Sequence, residues 1–230
     1  MIIQNTPEKI VIRMEANEPL ANAIRRSVVE VPVLTIDEVE IFKNDSPLYD
    51  EVLVHRLGLV PLKTEKGMNE KTKIEFKLVK KGPCTVYSGD LEGSGEIVFE
   101  KMPITILGED AKIELVATAT LGKGIDHAKN IAGLCYYRHI LEISSSPKID
   151  QIVENAKGLI KPEKKGNKWL CDINEAAIEK VKGIEKNSVN DSSEILFIIE
   201  SFGNMPAKDI LTKAIEALSD NLDEFEKVID

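Results

Sequence analysis

Hydrophobic positions along the chain switch between two periods. Ile10 to Met14 alternates with charged neighbours, which predicts a strand. From Leu20 the period lengthens, and Leu20, Ala23, Ile24 and Val28 recur every three or four residues, one stripe of a helix. Asn17 is placed to cap that helix, Glu18 and Pro19 to open it, and Pro32 to stop it after about Glu30. Arg25 and Arg26 fall off the stripe. Val33 to Phe42 is a β-branched run broken by Asp37, Glu38 and Glu40, the pattern of a strand with one wet side. A second helix is expected next, capped by Ser46 with Pro47 in its first turn, Asp50 and Glu51 near its positive end, and Gly58 closing it in a left-handed conformation.

Between Lys73 and Ala119 the segments IEFKLV, CTVYSGDL, EIVFEKMPITIL and KIELVATATL are separated by glycine and proline, which predicts a compact β-rich unit. From Ser144 to Ser193 the texture changes to Lys- and Asn-rich, with Trp169 among few large apolar residues and one helical piece, Asn174 to Lys182. Glu194 to Phe202 is a continuous apolar run and so a buried strand. The last helix begins near Pro206. Its residues Ala207, Leu211, Ala214, Leu218, Leu222, Phe225 and Ile229 form a seam close to a heptad pattern. A helix from Pro206 to Val228 would be roughly 35 Å long. A seam of that length left wet is a liability, so a partner helix is expected to cover it.

Thirty basic against thirty-nine acidic residues give a formal charge of -9, which disfavours adhesion to nucleic acid through the whole surface. The opening MIIQNTPEKI has neither the basic start nor the apolar run of a signal peptide, and no stretch has the length of a membrane span, so a cytoplasmic protein is expected. Three cysteines, Cys84, Cys135 and Cys171, lie far apart, form no CxxC pair and supply too few ligands for a cluster or a zinc site. His55, His127 and His139 are too scattered for a metal constellation. Cys135, within the apolar context of LCYYR, is expected to be an inert thiol. Lys161, Lys164, Lys165 and Lys168 form a small basic run whose ordinary reading is a solvated loop. No catalytic set emerges.

The tract NAIRRSVVEVPVLTIDEVEIFKNDSPLYDEVLVHRLGLVPL, from Asn22 to Leu62, resembles the signature of the alpha-like subunits of multisubunit DNA-directed RNA polymerases. Its HRLGLVPL ending is of the archaeal and eukaryotic type. VYSGDL at Val86 to Leu91 and LGKGIDHAKN at Leu121 to Asn130 agree with the same family. The resemblance implies an α+β fold with a dimerisation domain split between residues 1–41 and 193–230, and a β-rich domain inserted at 42–143. Residues 144–192 stand where many members carry a ferredoxin-like insert with iron-sulfur clusters, and with Cys171 alone there the insert is expected to be degenerate and without a cluster.

The resemblance also implies partners. In this family the split domain pairs with the smaller alpha-like subunit L, and the dimer gathers the small subunits N and P and docks on the second-largest subunit, nucleating an enzyme whose chemistry lies elsewhere. On this chain the L interface would fall on Leu20, Ala23, Ile24, Val28, Leu211, Ala214, Leu218, Leu222 and Phe225, and docking onto the large subunit on Arg25 and Arg26. The family often has Trp after HAK, whereas Asn130 stands here, so contacts of that ring do not carry over. Two other readings are a redox module, which the cysteine count opposes, and a small enzyme using His127 on the glycine-bearing loop, for which no carboxylate or nucleophile is spaced.

Overall fold

The computed structural model describes residues 1–15 and 17–229. Its elements run β1 (Ile2–Asn5), β2 (Lys9–Glu15), α1 (Glu18–Ser27), β3 (Val33–Asn44), α2 (Asp50–Gly58), β4 (Ile74–Lys81), β5 (Cys84–Tyr87), β6 (Glu92–Gly93), β7 (Pro103–Leu107), β8 (Lys112–Gly122), β9 (Gly133–Ser144), α3 (Pro147–Asn155), β10 (Glu163–Lys165), β11 (Lys168–Cys171), α4 (Glu175–Ile184), β12 (Val189–Ser201) and α5 (Ala207–Ile229). This is a mixed α+β architecture. Strand pairing is antiparallel throughout the three sheets, in the orders β1-β2-β12-β9-β11-β10, β3-β8-β4-β6 and β5-β7.

Alternation builds the four-stranded sheet. In β8, Ile113, Leu115, Ala117 and Ala119 are buried while the residues between them are not, and they pack with Leu34, Leu53, Leu57, Phe76 and Leu78 into one core. The six-stranded sheet is covered on one side by α1 and α5, where Ile10, Ala21, Val28, Phe197, Ile199, Ile210 and Ala214 meet. Its opposite side buries Val11, Ile140, Leu170, Leu196 and Ile198. A further cluster joins Ile143, Ile149, Val153, Trp169, Cys171 and Val181 under α3 and α4.

β9 and β12 serve two packed units. Their pairing shifts register between Asp191 and Ile195; on one side of that bulge lie the strands facing α1 and α5, on the other the strands facing α3 and α4. Residues 133–143, assigned by sequence to the inserted β-rich domain, therefore belong by pairing to the sheet formed by the two ends of the chain. Residues 33–41, assigned to the split domain, pair instead with β8. Strands from either side of an expected domain limit thus share a sheet, and pairing partners carry no local mark in the sequence.

Helix ends also differ from expectation. α2 starts at Asp50 with Tyr49 in the capping position, while Ser46 makes a turn, its N–H donating to Asn44 Oδ1 at 3.0 Å and its Oγ accepting from Leu48 N at 3.3 Å. Gly58 is the last helical residue and Leu59 follows in a right-handed conformation, so no left-handed cap forms. Asn17 precedes α1 without a side-chain capping bond, whereas Asn174 caps α4 by accepting from Ala177 N at 3.0 Å. Among the described residues no helix is long and apolar enough to cross a membrane.

Candidate partner interface

α5 carries two apolar stripes side by side. Ala207, Ile210 and Ala214 face the chain's own core and are buried. At heptad spacing beside them run Leu211, Ile215, Leu218, Leu222, Phe225 and Ile229. Leu211 is partly covered and Leu218 half-buried, but Ile215 is 46% exposed, Leu222 60%, Phe225 64% and Ile229 69%. Beyond Leu218 every described residue of the helix is exposed.

The expected interface residues thus divide. Leu222 and Phe225 are open, as is Leu20 on α1, while Leu218 and Ala23 are half-buried. Ile24 and Leu211 lean on the internal core. Val28 at 3% and Ala214 at 0% exposure are enclosed by the chain itself, which corrects their assignment to a partner surface. α1 and α5 pack on each other, so the stripe of α1 is covered largely from within. Spacing at three and four residues merges two stripes about a quarter turn apart on the same helix. Ile215 escapes the sequence reading for the same reason, although its seven-residue distance to Leu222 is the signal that marks it.

Arg25 and Arg26 point differently. The Arg25 guanidinium is held by Asn22 Oδ1, which accepts from Nε at 3.2 Å and from Nη2 at 2.9 Å. Arg26 is exposed. Arg13, unremarked in the sequence, is buried and ion-paired to Glu194 and, at 2.9 Å, to Glu163, tying the β10 hairpin to β2 and β12. Lys164 and Lys168 of the basic run pair with Asp150 and Glu142, each at 2.7 Å.

The groups considered for chemistry are dispersed into structural roles. His127 Nδ1 accepts from Lys129 N at 3.0 Å, closing the LGKGIDHAKN loop, and His55 lies exposed on α2. Burial pushes the thiols of Cys135 and Cys171 up to about 12, so neither is a thiolate at neutral pH. Among the described residues no group of three His, Cys, Asp or Glu side chains is placed to hold a metal ion.

Comparison with known proteins identifies the family. Residues 39–146 match the family model described as the RNA polymerase Rpb3/RpoA insert domain. The chain is 31% identical over 258 aligned positions to the DNA-directed RNA polymerase subunit Rpo3 of Methanobrevibacter smithii, covering 96% of this chain and 94% of that protein. It is 34% identical over 218 positions to Rpo3 of Halobacterium salinarum, covering 91% and 88%. With Rpo3 of Pyrococcus horikoshii the identity is 31% over 248 positions, covering 97% and 95%. Similarity at this level across nearly the whole length of several relatives places the chain in their family: it belongs to the Rpo3 family of archaeal DNA-directed RNA polymerase, the alpha-like subunits.

Proposed function

We propose that this chain is a non-catalytic assembly subunit of the polymerase, pairing with the smaller alpha-like subunit L and bringing the small subunits N and P and the second-largest subunit together. The observation that carries the reading is the outer stripe of α5, from Ile215 through Leu222 and Phe225 to Ile229, left outside the chain's own core. Covering each such side chain is worth up to roughly 1.5 to 3 kcal/mol, and a partner helix with matching heptad spacing covers the row most simply. Leu20, half exposed on α1, and Ala23 join the proposed interface from the other helix. Arg26, exposed and off the stripe, is free to dock on the large subunit, with Arg25 beside it. Direct nucleic-acid contact is not expected of a chain with net charge -9.

The insert fits a degenerate ferredoxin-like unit. Supporting this is the order β9-α3-β10-β11-α4-β12, whose four strands stand in the sheet as β12-β9-β11-β10, the β-α-β-β-α-β arrangement of that motif. Iron-sulfur ligation does not fit its residues, since Cys171 is the one cysteine of 144–192 and is packed inside the apolar cluster with Trp169. The chain is accordingly proposed to work without a cofactor.

Co-expression with subunit L followed by measurement of complex mass tests the pairing. A stable 1:1 complex is expected, lost in a Leu222→Asp, Phe225→Asp double variant whose circular dichroism is unchanged. A chain that stays monomeric beside L, or a complex that survives both aspartates, would overturn the reading.

A further inference from the structure

His139 on β9 stands where the start of α1 meets the β9–β12 ladder. Its Nδ1 lies 3.0 Å from the carbonyl oxygen of Ser192, and its Nε2 lies 3.0 Å from Glu18 Oε1. Both partners accept hydrogen bonds, and neither a carbonyl oxygen nor a carboxylate donates one. A neutral imidazole has a single N–H and serves one of them. The imidazolium serves both. Glu18 is the first residue of α1, and Ser192 sits in the register shift of β12 between Asp191 and Ile195.

We propose that His139 is a proton-operated latch: doubly protonated, it fastens the first turn of α1 to the bulge of β12, and loss of one proton frees the helix end. The charged groups around the ring agree in sign. Glu18 faces it from α1 and Asp191 acts on it from β12, while Arg25, further along α1, is turned to Asn22. Cys135 and Tyr137, four and two residues back along β9, pack into the core under α1 and α5. The Ser192 carbonyl first, then the Glu18 carboxylate, outweigh partial desolvation and hold the imidazole above its ordinary 6.5. A group raised on folding contributes its stability fully below the ordinary value and loses it as pH rises through the folded one. The latch is therefore closed in mild acid and opens on the alkaline side. Once neutral, a ring that keeps Nδ1–H on Ser192 turns the Nε2 lone pair toward the Glu18 carboxylate, so the helix end is repelled as well as released. Leu20, half exposed, lies within that first turn, but the latch stands whether or not a partner covers it.

The test is an NMR titration of the full chain, following the His139 ring and the amide protection of Ala21, whose N–H makes the first helical bond of α1, to Asn17 O at 3.1 Å. A ring midpoint above 6.5 is expected, moving down in Glu18→Gln, with Ala21 protection falling several-fold between about pH 6 and about pH 8.5. In His139→Gln that protection is expected to be the same at both pH values. A midpoint at or below 6.5, or one that Glu18→Gln leaves in place, would overturn the latch, and the wild-type and Glu18→Gln titrations decide it even if the glutamine variant at 139 fails to fold.

Discussion

The side-chain amide of Asn221 donates to both carboxylate oxygens of Glu30, at 2.9 and 3.0 Å. Glu30 ends the 3-10 turn that follows α1, and Asn221 lies near the start of the stretch of α5 in which every described position is exposed. The pair therefore marks where the helix leaves the body of its own chain. It is solvent-facing, so its loss in Asn221→Ala should cost no more than about 1 kcal/mol of global stability. Its effect is expected to be local. In the chain without a partner, amide exchange over 222–229 should quicken while 207–214 stays protected, read by hydrogen-exchange mass spectrometry. Uniform exchange along α5 in both proteins would show that the helix has no such boundary.

The two stripes of α5 differ in what they hold together. Ile210 is fully enclosed among Val28, Phe197, Ile199 and Ala214, so Ile210→Ala is expected to destabilise the isolated chain by about 2–5 kcal/mol through lost burial and the cavity left behind. Leu222→Ala removes a side chain that is wet in the isolated chain and should change its stability by no more than about 0.5 kcal/mol. Denaturant unfolding of the two variants separates them. Equal losses would mean that the outer stripe is part of the internal core.

Which features are legible in the sequence follows the same division. β2, the start of α1, β8 and α5 rest on strong periodicity within one segment, where alternation or three-four spacing is enough to place them, and a continuous apolar run places β12 from Glu194 on but not its first residues, Val189 to Ser193. What spacing does not encode is the partner of each face: Val28 and Ala214 look as apolar as Leu222, and their burial depends on a sheet drawn from both ends of the chain. Ser46 and Tyr49 compete for one helix start, and Asn44 decides it by binding the Ser46 N–H. Arg13 is invisible to a sequence reading because its two carboxylates, Glu163 and Glu194, come from distant sequence. α3 is hidden inside a Lys- and Asn-rich tract, although Ile149 and Val153 mark its buried face.

In the insert, Asp150 ties α3 to the β10–β11 hairpin. Asp150 accepts from the Lys164 ammonium at 2.7 Å, the Trp169 indole N–H at 2.7 Å and the Ser145 hydroxyl at 2.8 Å. Lys164 first, then Trp169, hold its carboxyl down at about 2 against an ordinary 3.8. Because the folded value is the lower one, the stabilisation is present above the ordinary value and is lost as pH falls from about 3.8 to about 2. Trp169 is the sole tryptophan, so all tryptophan emission comes from this site. Its emission should change across that window, and Asp150→Asn should show the acid spectrum already at neutral pH, since the amide no longer pairs with Lys164 as an anion. A flat wild-type titration between pH 4 and pH 2 would refute the assignment.

Asn130 is buried and holds the LGKGIDHAKN loop by two bonds. Its Oδ1 accepts from the Thr35 hydroxyl at 2.7 Å, and its Nδ2 donates to the Lys123 carbonyl at 3.2 Å. Asn130→Ala leaves the buried Thr35 hydroxyl without that acceptor and should cost about 1–3 kcal/mol. The amide also closes the space over Gly122, where an added Cβ would lie 2.3 Å from Asn130 Nδ2. Gly122→Ala alone must therefore displace Asn130 and break the same two bonds. In the Asn130→Ala background the obstructing amide is gone, so most of the cost of Gly122→Ala should vanish. Unfolding free energies of the two single variants and the double variant should give a favourable coupling of about 0.5–3 kcal/mol. Strict additivity would mean that the loop is held by something other than this side chain against that glycine.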